Sequence, residues 1–266
     1  MFTKYWNLTE KPFENTPNPK FMYNSIQHEE AFSRMLYVIR ESKGAGLLTG
    51  VFGCGKTMLG RAITKELEND IYKVAYIVNP RMEEIDLLRM LAHYLGADNL
   101  PERKSDIIIN IEKILVNNFQ DGKKTVVVFD EAHTIEQKSV FEEIRLLLNF
   151  QVDDKFLITV LLFGQPELKE KVESNKQLLQ RIAMRFHLEG LSSEDVKLYI
   201  RHRLDTSNGN HILFSEPSMK LIFERSGGIP RRINQICDMC LLTGYFKKKT
   251  QIDEAIVREA VESIEG

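Results

Sequence analysis

Cysteine is scarce in this chain: Cys54, Cys237 and Cys240 are the three among 266 residues. That number excludes a disulfide framework for a protein of this size. Cys237 and Cys240 are spaced C-x-x-C, but no second pair completes a zinc site. Three apart in the helical pattern of 233–246, they share one face, so buried packing is expected. Long hydrophobic runs are missing too. The longest, Phe156 to Phe163, falls far short of the roughly 20 residues a membrane span needs. Residues 1–19 hold no apolar stretch of the signal-peptide kind. Nor does one charge dominate: 36 Lys and Arg against 38 Asp and Glu leave a formal −2, which supplies no bulk attraction to nucleic acid or anionic lipid. Arg231, Arg232 and Lys247 to Lys249 are local basic spots only. These absences predict a soluble, cytoplasmic protein whose association with the inner face of a membrane, if any, is made through partners.

What is present is more specific. Gly50-Val51-Phe52-Gly53-Cys54-Gly55-Lys56-Thr57 matches the phosphate-binding pattern G-x-x-x-x-G-K-[ST] in full. The context fits: Ala45 to Thr49 is a short apolar run of the buried-strand kind, and Met58 to Leu67 reads as a helix. Glycines at 50, 53 and 55 let successive backbone N–H groups turn toward phosphate oxygens at the positive end of that helix. The expected nucleotide-contacting set is therefore Gly50, Gly53, Cys54, Gly55, Lys56, Thr57 and Met58. Lys56 would reach the β- and γ-phosphates, and the Thr57 hydroxyl would bind Mg2+.

At 43% hydrophobic and 28% charged residues, the chain can bury one large domain and a smaller one. Pro12, Pro17 and Pro19 mark residues 1–25 as an irregular arm, placed to border a nucleotide base. Residues 26–190 then alternate. A helix over His28 to Glu41 precedes the first strand; Lys73 to Val78 is a second strand; Ile85 to Leu95 and Asp106 to Phe119 are helices. Thr125 to Phe129 is too apolar to face water and reads as a central parallel strand. Helix Ser139 to Phe150, strand Phe156 to Phe163, helix Pro166 to Met184 and a short strand around Phe186 to Leu188 complete the alternation. It predicts an α/β fold with a parallel sheet sandwiched by helices. From 191 to 266 the periodicity is helical only, over Ser193 to Leu204, Ser215 to Ser226, Ile229 to Phe246 and Asp253 to Ile264, which predicts a small all-helical second domain.

In open α/β sheets ligands bind beyond the carboxyl ends of the strands. Asp130 and Glu131 stand at such an end: Asp130 is the expected second Mg2+ residue and Glu131 the group that orients or deprotonates the attacking water. Asp130-Glu131-Ala132-His133 also spells the box of one helicase class, but those proteins resemble two fused sheet domains, and only helices follow Leu191 here. A GTPase reading lacks N-K-x-D, since Asn175-Lys176 is followed by Gln177-Leu178. Adenine, hence ATP, is preferred. Gln165 ends the next long strand, where its amide would approach the γ-phosphate and the water, the sensor 1 role; a turn residue ahead of a proline-started helix is the alternative. Arg181 and Arg185 are expected one helical turn apart at a helix end, and either would reach the γ-phosphate of a neighbouring subunit, with Arg185 preferred. A helix C-terminus stabilised by cations is the alternative for both. Arg231 follows Gly227-Gly228-Ile229-Pro230 at a helix start, where a cation opposes the helix dipole. That local cost points to a use in contacting the nucleotide, the sensor 2 role.

The phosphate loop, Asp130-Glu131, Gln165, Arg185 and Arg231, in that order and followed by helices, resemble an AAA+ ATPase over nearly the whole chain. More narrowly, Trp6-Asn7-Leu8-Thr9-Glu10-Lys11-Pro12-Phe13, Asn18-Pro19-Lys20-Phe21-Met22-Tyr23, His28-Glu29-Glu30-Ala31, Phe163-Gly164-Gln165-Pro166-Glu167-Leu168 and Gly227-Gly228-Ile229-Pro230-Arg231 look like the general secretion pathway protein A group. That resemblance implies a P-loop domain followed by a helical lid, an ATP-dependent homo-oligomer, and ATP hydrolysis coupled to assembling secretion or pilus machinery of the cell envelope. Members of the group typically carry a membrane span and a peptidoglycan-binding part after the ATPase domain, and neither is expected in these residues. Phe52 and Cys54 depart from the group within the loop, at positions whose side chains need not touch phosphate. The same module resembles target-selecting ATPases of bacterial transposons, and the initiator branch of AAA+ proteins shares the arginine before Phe186. A DNA-associated regulator and a nucleotide switch with little turnover are therefore the alternatives.

Overall fold

Segments without a polar face must be covered on both sides, and this chain lays three of them next to one another. The computed structural model describes residues 2–16, 18–97 and 100–266, so Pro17 of the arm lies outside the described residues. The chain divides into two units: Gln27–Phe52 with Leu59–Leu188, and Met1–Ile26 with Gly53–Met58 and Glu189–Gly266.

Helix α1 (Phe2–Tyr5) opens the arm and α2 (Ile26–Arg40) follows it; β1 (Ala45–Gly50) and α3 (Lys56–Glu66) flank the phosphate loop. Next come β2 (Tyr72–Val78), α4 (Glu84–Tyr94), α5 (Lys104–Gln120), β3 (Lys124–Asp130) and α6 (Lys138–Leu147). A hairpin of β4 (Gln151–Val152) and β5 (Lys155–Phe156) leads into β6 (Ile158–Gly164), α7 (Glu167–Ser174), α8 (Lys176–Leu179) and β7 (Ile182–Leu188). Helices α9 (Ser193–Thr206), α10 (Glu216–Ser226), α11 (Pro230–Phe246) and α12 (Glu254–Glu265) complete the chain.

Among the described residues the main sheet runs β2-β3-β6-β1-β7, with every pairing parallel. All of β1 and β6 is buried, as is β3 after Lys124. Leu87 and Leu88 of α4, Ile107 and Ile111 of α5 and Ile144 of α6 share one core with Val127, Phe129 and Leu162 of the sheet. The expected parallel sheet with flanking helices and a helical carboxyl-terminal region is borne out.

Two local expectations are corrected. Phe156 does not begin the long strand: Asp153 and Asp154, both at positive φ (48° and 61°), form a two-residue turn that folds β5 back on β4. Residues Pro166 to Met184 are not one helix either. Asn175 leaves the helical region at φ −103°, ψ 87°, and its side chain caps the short α8 by accepting from Leu178 N at 3.0 Å. The chain then becomes an edge strand in which Ile182 and Leu188 are buried while Ala183, Arg185 and His187 are exposed.

In the helical unit, helices start where a side chain can satisfy an open backbone N–H: Ser192 accepts from Asp195 N, Ser215 from Ser218 N and Asp253 from Ile256 N. The arm belongs to this unit's core, since Trp6, Leu8 and Phe13 pack with Leu204, Phe214, Cys237 and Leu241. Buried Arg203 of α9 ties it down, donating from Nε to Pro12 O at 2.6 Å and from Nη2 to Glu14 O at 3.1 Å. Cys237 and Cys240 are both buried here, and burial pushes both thiols up, so they pack as small apolar groups. Phe13 meets Phe214 edge-on with ring centroids 5.9 Å apart. Phe13→Ala is expected to destabilise this unit by about 3–5 kcal/mol. Fluorescence of Trp6, the single tryptophan, followed through a urea titration, reads that loss, because its Nε1 is anchored on Leu241 O at 2.9 Å in the same core.

Candidate functional site

Parallel strands end in the same direction, so the order β3-β6-β1 sets the carboxyl ends Asp130, Gly164 and Gly50 along one edge of the sheet. The register brings Thr49 opposite Gly164 and Phe129 opposite Leu162.

Asp130 is fully buried and its carboxylate is held from two sides. The Tyr76 hydroxyl donates to Oδ2 at 2.9 Å, and the Glu131 N–H donates to Oδ1 at 3.0 Å. Tyr76 pairs with Val128 and Val78 with Asp130, so the phenol and the carboxylate sit two residues apart in register on one face of the sheet. Space for the hydroxyl comes from α3: a Cβ on Gly60 would lie 2.5 Å from Tyr76 Oη. Burial first, and the Asp130 charge second, push the Tyr76 pKa far up, so the phenol stays a donor. Tyr76 and Gly60 escaped the sequence reading. The usable signal was a single hydroxyl-bearing residue in the otherwise apolar Val74-Ala75-Tyr76-Ile77-Val78, next to a strand that ends in aspartate.

Glu131 takes the left-handed region at φ 57°, and the 3-10 turn Ala132–Thr134 follows it. Thr134 stabilises this turn, donating to Glu131 O from its N–H at 2.9 Å and from its hydroxyl at 2.7 Å. The turn places His133 Nδ1 3.4 Å from Glu131 Oε2, an approach too poorly aligned for a hydrogen bond. On its other side His133 Nε2 is 2.9 Å from Gln165 Nε2. Glu131, His133 and Gln165 thus meet at the sheet edge beside Asp130.

The loop from Gly50 joins β1 to α3 as expected. Gly53 and Gly55 both have positive φ, at 85° and 106°. A Cβ on Gly53 would meet Arg231 Cβ at 2.7 Å and Ile229 Cγ2 at 3.2 Å, so no larger residue fits. The Arg231 N–H, one of the open donors at the start of α11, donates to Gly53 O at 3.3 Å. Arg231 is exposed at that helix start, beside the loop. Lys56 is buried, with Nζ 3.8 Å from Cys54 Sγ. Burial raises the Cys54 thiol while Lys56 partly offsets this. Thr57 and Met58 are half-buried in the first turn of α3.

The two arginines are not a helical turn apart. Arg185 is exposed on β7 opposite Leu47, and its carbonyl accepts from Arg34 Nη1 at 3.3 Å. Arg181 precedes β7 at the other edge of the sheet, where Nη2 donates to Asn149 Oδ1 at 3.0 Å and the guanidinium lies over Phe156. The alternation Ile182, Met184, Phe186, Leu188 against Ala183, Arg185, His187 was the signal for a strand.

A parallel sheet in this order, a glycine-rich loop between its β1 and a helix, and an acidic pair after β3 define a nucleotide-binding fold of the phosphate-loop class. The chain belongs to the AAA domain family, whose model matches residues 39–172. It is 35% identical over its whole length to general secretion pathway protein A of Aeromonas hydrophila, of which it spans 49%, so it corresponds to about half of that relative. The expected likeness to that group is borne out. It is 25% identical over 98% of its length to an uncharacterized HTH-type transcriptional regulator of Methanocaldococcus jannaschii, covering 73% of that protein. In fold it matches the Aeropyrum pernix ORC2 protein in its ADPNP–ADP complexes, with a TM-score of 0.66, 17% identity, and 92% of this chain and 71% of that one covered. Among the described residues no helix is long and apolar enough to cross a membrane.

Replacing Tyr76 by Phe removes a hydrogen bond to a buried carboxylate. Tyr76→Phe is expected to lower stability by about 1.5–3 kcal/mol in a urea titration. Combined with Asp130→Asn, its cost should fall well below the sum of the two single changes, since both act on the same contact.

Proposed function

We propose that this chain binds ATP with Mg2+ and hydrolyses it as a homo-oligomer, driving assembly or remodelling of secretion or pilus machinery in the cell envelope. The observation that carries the reading is the shared sheet edge: Gly50, where the phosphate loop begins, Asp130 and Gly164 end neighbouring parallel strands. The residues present fit the nucleotide and its ion. Gly53 and Gly55 hold the left-handed backbone that turns N–H groups toward phosphate, and Lys56 supplies a cation at the start of α3. The Thr57 hydroxyl and the Asp130 carboxylate are hard oxygen ligands of the kind Mg2+ takes. Bound there, Mg2+ supplies neutralisation of the phosphate charge.

In this reading Gly50, Gly53, Cys54, Gly55 and Met58 contact the nucleotide alongside Lys56 and Thr57. Glu131 orients the attacking water and accepts its proton, and Gln165 presents its amide to the same water. Arg231, beside Gly53, contacts the nucleotide. Arg185, exposed on an edge strand, is offered to the nucleotide of the next subunit, while Arg181 is engaged by Asn149. The envelope role follows from the name of the A. hydrophila relative alone, and the chain spans 49% of it.

Glu131→Gln is expected to retain ATP binding and lose turnover by about 10²- to 10⁴-fold, measured as phosphate release beside equilibrium binding of a fluorescent ATP. Equal, slow turnover in both proteins would leave a nucleotide switch. Lys56→Ala should lose binding and any ATP-dependent rise in solution mass. For Arg185→Ala, unchanged binding with about 10³-fold slower turnover is expected; wild-type rates at every protein concentration would remove Arg185 from the site.

A second reading, a DNA-associated regulator, is favoured by the M. jannaschii relative named as an HTH-type transcriptional regulator. DNA-stimulated turnover, together with a DNA affinity that falls steeply with salt, would select it over the envelope role.

A further inference from the structure

His133 is the side chain at the sheet edge to which no role has been given. Its place is over-determined. Lys171 Nζ donates to the carbonyls of His133 and, at 2.7 Å, of Ile135. Gly164 leaves room for the turn, because a Cβ there would lie 3.0 Å from His133 N. The imidazole is mostly buried, at 16% exposure, with one nitrogen toward each of the two groups assigned to the water: Nδ1 toward Glu131 and Nε2 toward Gln165.

The chemistry of these partners decides where the imidazole proton sits. An amide nitrogen only donates, so Gln165 Nε2 requires His133 Nε2 to accept. A neutral imidazole then carries its proton on Nδ1, facing the Glu131 carboxylate. The reverse amide orientation would turn the Nδ1 lone pair toward that carboxylate, which is electrostatically unfavourable. At 3.4 Å and poorly aligned, Nδ1 is left without a hydrogen bond, buried and facing the carboxylate.

Resting on the hydrolytic reading above, we propose that His133 is a positioning residue: as the Nδ1–H tautomer it couples the Glu131 carboxylate to the Gln165 amide, so that the two move as one unit. It touches neither nucleotide nor water itself. A rotation of Gln165 then changes what holds Glu131, and the reverse.

The first test needs no nucleotide. Long-range proton–nitrogen correlation of the histidine side chains, in a mildly alkaline buffer, reports each tautomer, and the His133 signal is identified by its loss in His133→Asn. The Nδ1–H form is expected in the wild-type chain, with a shift toward Nε2–H in Gln165→Met. An Nε2–H wild type, or a tautomer indifferent to Gln165→Met, overturns the coupling. The second test is kinetic. His133→Ala should lower kcat by about 10- to 100-fold with KM within about twofold. His133→Asn, whose amide nitrogen stands near the Nδ1 position, should recover part of the loss, and His133→Gln, which reaches toward the Nε2 position, should not. An unchanged kcat, a rise in KM alone, or equal recovery by Asn and Gln overturns it. Should the chain prove not to hydrolyse ATP while the tautomer still follows Gln165, the hydrolytic reading falls and the coupling stands.

Discussion

The pairing of β1 between β6 and β7 is the constraint on which the rest depends. Every residue of β1 is buried, so the strand has no face to offer water and can be satisfied only inside a parallel sheet. Once it is there, its carboxyl end at Gly50 lies beside Gly164, and one strand further over stands Asp130. The phosphate loop, the acidic pair and Gln165 come from segments far apart in the chain. Of these, Gly50, the residue from which the loop departs, the acidic pair and Gln165 reach one edge because parallel strands cannot end in different directions.

That edge is held by polar contacts that a buried site has to satisfy. A fully buried carboxylate at Asp130 is costly without partners, and Tyr76 with the Glu131 N–H supplies them. Glu131 in turn occupies the left-handed region, a conformation worth about 1–3 kcal/mol of strain. The two bonds from Thr134 to its carbonyl and the Lys171 clamp beyond it offset that strain. Strain kept at the end of an apolar strand, beside a His and a Gln, is consistent with the role proposed for Glu131.

The helical unit solves a different problem. Its four helices share a core that the amino-terminal arm enlarges with Trp6, Leu8 and Phe13. Arg203 fixes the arm by donating from its guanidinium to the backbone carbonyls of Pro12 and Glu14. Gly228, before α11, is equally constrained, since a Cβ there would stand 2.1 Å from Leu191 O, and Gly53 closes against Arg231.

Features written within a few residues were legible from the sequence alone. The loop Gly50 to Thr57, Asp130-Glu131 at the end of an apolar strand, and the proline start of α11 depend on local backbone geometry, which local residue types determine. The strand and helix alternation was legible for the same reason. The tertiary structure alone decided the contacts made across distance. Thr49 and Phe186, 137 residues apart, belong to the paired strands that extend the strand expected around Phe186 to Leu188 back to Ile182, through the expected helix end, and move Arg185 onto it. Tyr76 reaches Asp130 across 54 residues, and Gln165 reaches His133 across 32. Local propensity is a weak bias that an open neighbouring strand overrides, and a hydrogen bond between distant residues has no spacing by which a sequence can declare it.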